Sequence, residues 1–167
     1  MFARLPPSIQ RLLSFCRVDF APEHGQPSGV RVALATVVSV LASLVADAIL
    51  VAIGTALLPS TKGYAHFRFS DYGKLTVIGV VVACLGWPVV TRISSSPKWL
   101  YLRLAVLVTL VLWLPDLYIL AKGQPPKAVA VLMVMHLAIA VVTYASMTRL
   151  AKVGEGAPAV TPVPTGS

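Results

Sequence analysis

Four apolar runs govern what this chain can become: Val30 to Leu58, Leu75 to Ile93, Leu100 to Leu120 and Ala128 to Thr148. A helix rises about 1.5 Å per residue, so about 20 apolar residues cross a hydrocarbon core of about 30 Å. Each run meets that length. All are too long for barrel strands, and none alternates apolar and polar residues with a period of two. The expected fold class is therefore all-α, an integral membrane four-helix bundle. A hydrophobic content of 57% and a mean hydropathy of +0.82 agree, because soluble domains hold about 45 to 50% apolar residues.

A net charge of +8 would suggest nucleic acid in a soluble protein, but its distribution fits membrane topology better. With the N-terminus inside, the inner segments hold Arg4, Arg11, Arg17, Arg31, Arg92, Lys98, Arg103, Arg149 and Lys152. The outer loops hold Lys62, Arg68, Lys74, Lys122 and Lys127. Seven of the eight arginines then share one side, as expected of a multi-pass plasma-membrane protein with both termini cytoplasmic. The basic inner face attracts anionic lipid head groups. No nucleic-acid partner is expected.

Residues 1–29 are expected to form a cytoplasmic amphipathic helix and a linker. In "SIQRLLSFCRVDF", Ile9, Leu12, Leu13, Cys16 and Phe20 recur at three- and four-residue steps, opposite Gln10, Arg11, Ser14 and Arg17. That pattern suits an interfacial helix opened by Pro6 and Pro7, and packing on the cytoplasmic end of the bundle is the alternative. "APEHGQPSG" has the Pro and Gly density of a linker. Residues 30–149 make up the bundle, and residues 150–167, with "GEGAPAVTPVPTGS", are expected to be a disordered cytoplasmic tail. A cleavable signal peptide is not expected, because the first apolar run is longer than the about 7 to 15 residues of a signal core.

The first outer loop carries Tyr64, Phe67, Phe69 and Tyr72, which suit a membrane–water interface. A ligand-contacting lid is the sharper reading, with nothing in the spacing to favour it. The short turns "RISSSPKW" and "KGQPPK" make consecutive spans antiparallel neighbours. Small residues permit close helix approach in lipid, so Ala35, Ser39, Ser43 and Asp47, at four-residue steps, mark a candidate interior face of the first span. Gly79, Ala83 and Gly86 mark one on the second.

Charged residues at bilayer depth cost at least about 2.5 to 3.5 kcal/mol, which singles out Asp47 and His136. Asp47 lies roughly 16 Å below the outer end of the first span and His136 roughly 14 Å below that of the fourth. Equal depth makes Asp47 and His136 a candidate hydrogen-bonded pair, with Ser43 and Thr143 as nearby polar groups. Asp116, near the outer end of the third span, is placed to accept bonds from Tyr118 or Lys122. Three readings compete: a clasp that fixes helix register, a proton or ion path, and a catalytic or metal site. One His and two Asp make no ligand signature, and Cys16 and Cys84 form no CxxC pair. Cys84 reads as a small packing residue. No GxSxG, HExxH, P-loop or dinucleotide fingerprint occurs, so neither cofactor nor metal is expected.

The runs "TVIGVVVACLGWPVVTRI", "LRLAVLVTLVLWLPDL" and "KAVAVLMVMHLAIAVVTYASMTRL" resemble small four-span membrane proteins of Actinobacteria catalogued as a domain of unknown function. Gly86 with Trp87, and Met135, His136 and Leu137, carry the resemblance, which covers about residues 31–150. It implies a four-helix protein of the cell envelope with no established activity. It also implies Asn where this chain has Asp47, which favours the clasp over the proton path. The expected function is that of a non-enzymatic accessory or scaffolding subunit of an envelope complex, with a membrane-protein partner or a second copy of itself. A small transporter or channel subunit using an intramembrane Asp/His pair is the alternative, and an enzyme acting on lipid at the outer aromatic loop comes third.

Overall fold

The computed structural model describes residues 6–20 and 24–154. They form a short helix α1 (Pro7–Cys16) and four long ones, α2 (Gly29–Leu57), α3 (Phe69–Ile93), α4 (Pro97–Ala121) and α5 (Pro126–Leu150). The four long helices are long and apolar enough to cross a bilayer, and most of each faces outward. Their outer surfaces carry side chains such as Leu34, Leu41, Ile78, Val82, Leu107 and Leu114, more than half of them exposed. In water so large an apolar surface would aggregate, whereas in lipid it is the solvated face. The protein is a membrane protein.

Short turns make consecutive spans antiparallel. The ring closes where α2 packs against α5, the most extensive interface, and α3 also touches α5 across the bundle. Gly54 permits that closure. A Cβ added there would lie 3.0 Å from a Val131 methyl. The core gathers Ala35, Val80, Cys84, Trp87, Tyr101, Met147 and Ala151. Trp87 is fully buried and meets the Tyr101 ring edge-on at 5.1 Å, and Tyr101 in turn stacks on Tyr144.

Ser39 and Ser43 lie on the buried face of α2 with Ala35 and Asp47, as their spacing predicts. The small-residue stripe of α3 requires correction. Gly79 is exposed with open space beside it, whereas Ala83 and Gly86 are half-buried and meet Tyr101 of α4, whose hydroxyl donates to Ala83 O at 3.0 Å. The buried face of α3 is instead Gly73, Thr76, Val80, Cys84, Trp87, Val90 and Thr91. Trp87 and Thr76 decide the rotation, because an indole N–H and a hydroxyl gain more from interior partners than glycines gain from contact. Helix α3 also begins six residues before the expected start at Leu75.

At the arginine-rich end, the segment read as a linker is a strap. A helix leaves its last carbonyls without intrahelical donors, and here Asp19, Phe20 and Gln26 supply them. The backbone N–H groups of Asp19 and Phe20 donate to the Ile93 carbonyl at 3.1 and 3.0 Å. His24 Nε2 lies 3.0 Å from the Ser94 carbonyl oxygen, and Gln26 Nε2 donates to Thr91 O at 2.9 Å. Thr91 Oγ1 donates back to Gln26 Oε1 at 2.8 Å. Gly25 and Gly154 exchange two backbone hydrogen bonds, joining the strap to the residues after α5. Trp87 Nε1 donates to Ala151 O at 2.8 Å, capping α5.

Helix α1 ends at Cys16, short of Phe20, because Arg17 and Phe20 adopt positive φ. Ile9, Leu12 and Phe15 stay exposed, and α1 meets the bundle through Arg103, whose guanidinium lies over the Phe15 ring at 3.6 Å and bonds the Phe15 carbonyl. Cys16 at the end of α1 also packs against the core cluster. The tail expected from residue 150 is packed as far as Gly154, through the buried Ala151 and the Gly25 bridge, and residues 155–167 lie outside the described residues.

Two glycine substitutions test this packing. Gly54→Val should destabilise the detergent-solubilised protein by about 1 to 3 kcal/mol through overpacking against Val131. Gly79→Leu, in open space, should change stability by less than about 0.5 kcal/mol in a thermal-unfolding comparison.

Candidate functional site

Polar groups gather toward the aromatic end of the bundle, each long helix contributing one. Asp47 on α2 is fully buried, and its Oδ2 accepts a hydrogen bond from Thr76 Oγ1 on α3 at 2.7 Å. Asp116 on α4 is 5% exposed, and its Oδ2 accepts from His136 Nδ1 on α5 at 2.9 Å. Both intramembrane carboxylates are therefore bonded, each by the next helix along the chain.

The expected Asp47–His136 pair does not form, although α2 and α5 are adjacent. Depth was a sound criterion, but it leaves helix rotation undetermined. His136 sits beside the inward-facing Met135 and points toward α4, where the antiparallel packing brings Asp116 to meet it. Asp47 shares the face of Ser43 and Ser39, which meets Thr76 first. His136 still lies near enough to act electrostatically on Asp47. Asp116 likewise accepts from neither expected donor: Tyr118 is 63% exposed, with Lys122 Nζ 5.5 Å from its ring.

The connection between α2 and α3 covers this end of the bundle. Two 3-10 turns, Pro59–Thr61 and Ala65–Phe67, fold it back, and Thr61 and Phe67 are buried. Tyr64 packs edge-on against His66 at 5.3 Å and Phe67 at 5.2 Å. Burial raises the Tyr64 phenol above its ordinary pKa, and the Asp116 carboxylate nearby raises it further. His66 is also within electrostatic reach of Asp116. Tyr64 is thus packed within the connection and lies within electrostatic reach of Asp116.

Four buried oxygens among the described residues have no partner: Tyr64 Oη in the covering connection, and Asp47 Oδ1, Ser43 Oγ and Thr143 Oγ1 within the bundle. Among the described residues no group of three His, Cys, Asp or Glu side chains is placed to hold a metal ion. Sequence reasoning missed Thr76, Trp87 and Tyr101. The signal available was that Thr76, Val80, Cys84, Trp87 and Thr91 recur at three- and four-residue steps along α3.

The model of a family of unknown function, DUF6069, matches residues 24–153. No curated protein and no solved structure matches the chain.

A pair of double-mutant cycles separates the observed bonding from the expected one. Asp116→Asn with His136→Gln, and Asp47→Asn with Thr76→Val, should each show coupling of about 0.5 to 2 kcal/mol in detergent. Asp47→Asn with His136→Gln should come close to additivity, within about 0.5 kcal/mol.

Proposed function

We propose that this chain, which belongs to that family of unknown function, is a non-enzymatic accessory or scaffolding subunit of a cell-envelope complex. One observation carries the reading: both intramembrane acids are bonded by side chains of neighbouring helices, which uses costly charges to fix helix register. Such a bundle is a rigid post, and its outward apolar flank is the surface that a partner's helices or a second copy would meet.

The arginine-rich end lies in the cytoplasm in this proposal, with both termini there and the aromatic end outside the plasma membrane. The asymmetry of nine basic residues against five supports that orientation. Arg11, Arg17, Arg92 and Lys98, all exposed at this end, favour anionic lipid head groups.

A second reading, a small transporter or channel subunit, is favoured by the unpartnered Asp47 Oδ1. It would require oligomers, since four helices are few for a complete pathway.

Crosslinking in membranes followed by purification in mild detergent tests the scaffold reading. A defined membrane protein, or a second copy, should be captured in fixed ratio. Recovery of the monomer alone would overturn it. A reporter fused after Ser167 should be active only on the cytoplasmic side.

A further inference from the structure

The hydroxyls of membrane helices ordinarily satisfy themselves on the carbonyl one turn earlier. Thr36, Ser39, Thr55, Thr109 and Thr148 do so here, at 2.7 to 2.9 Å. Ser43 and Thr143 do not. Both are buried, at 0% and 3% exposure, and neither Oγ atom has a partner. Asp47, also 0% exposed, holds Oδ2 on Thr76 and leaves Oδ1 with none.

These three oxygens share one place. Ser43 and Asp47 are four residues apart and so lie on the same face of α2, about 6 Å between Cβ atoms. Gly54 touches Val131 across the α2–α5 interface, and Ala35 shares a cluster with Met147 and Ala151. In an antiparallel pair that register sets Ser43 level with Thr143. On α3, Thr76 meets Asp47, so the fully buried Val80, one turn on, lies level with Ser43 and closes that side with an apolar wall.

A buried carboxylate oxygen and two hydroxyls without partners forfeit several kcal/mol of solvation unless something polar sits among them. His136 reaches Asp47 electrostatically, but its Nδ1 is committed to Asp116. We propose that Asp47 Oδ1, Ser43 Oγ and Thr143 Oγ1 bind a monovalent cation of sodium's size between α2 and α5. Hard oxygen donors select hard cations. A single carboxylate neutralises one positive charge, whereas a divalent ion would leave a net charge in the apolar interior. The site lies below the Asp116–His136 pair and does not depend on the scaffold reading.

Thermal unfolding of the full chain in detergent tests this at fixed pH and ionic strength, with sodium, potassium or choline chloride. Sodium should raise the midpoint saturably, by about 5 to 10 °C at a hundredfold excess over Kd. Asp47→Asn should abolish the shift. Ser43→Ala and Thr143→Val should raise the sodium concentration giving half the shift by about tenfold or more. Equal wild-type midpoints in the three salts would overturn the proposal whatever the variants do, leaving water or a proton in the site. A sodium shift that persists undiminished in Asp47→Asn would place the ion elsewhere and also overturn it.

Discussion

In lipid an apolar side chain gains little by leaving the acyl chains for another helix, so polar contacts and close fit decide how the helices assemble. The structure depends on that constraint throughout. Asp47 with Thr76 ties α2 to α3, Asp116 with His136 ties α4 to α5, and Tyr101, donating to Ala83 O at 3.0 Å, ties α4 to α3. Trp113 Nε1 adds a bond to Met133 O at 3.1 Å between α4 and α5. Among the described residues no such side-chain bond joins α2 to α5, and that interface closes by fit, with Gly54 receiving Val131. Two of the unpartnered oxygens, Ser43 Oγ and Thr143 Oγ1, belong to these two helices.

The two ends of the bundle follow from a related requirement, that helix termini need donors and acceptors. At the arginine-rich end the strap supplies donors to the last carbonyls of α3, and Trp87 supplies one to the residue that follows α5. At the aromatic end, Thr61 donates to the Leu58 carbonyl at 2.8 Å and so satisfies the end of α2. A Pro- and Gly-rich segment thereby gains fixed points, since His24 and Gln26 each lie against a carbonyl at the end of α3.

Hydrophobic length made the four spans legible in the sequence, and the four-residue steps of Ala35, Ser39, Ser43 and Asp47 made the inner face of α2 legible too. Pairing was less legible. Depth can be counted from a helix end, which brought Asp47 and His136 together on paper, but the rotation of α5 that turns His136 toward Asp116 arises from packing across three helices. For α3, small residues were the wrong guide, because Trp87 buries a far larger surface than Gly79 could and so sets the helix phase. The strap was illegible for a different reason: its bonds run to residues some 70 positions away.

The pairing of first span with last has a consequence for how the protein is made. Helices enter the membrane in order of synthesis, and α2 must wait for α5, its main partner, while two further spans are inserted. Asp47 does not wait as long. Thr76 follows it by 29 residues on the very next span, so the carboxylate gains a bond as soon as α3 is inserted. Ser43 and Thr143 come together only with the last helix, and the Gly25–Gly154 bridge only after it. The bundle is therefore sealed by the residues that directly follow α5, and until they are made its acid is tethered while its interior stays open.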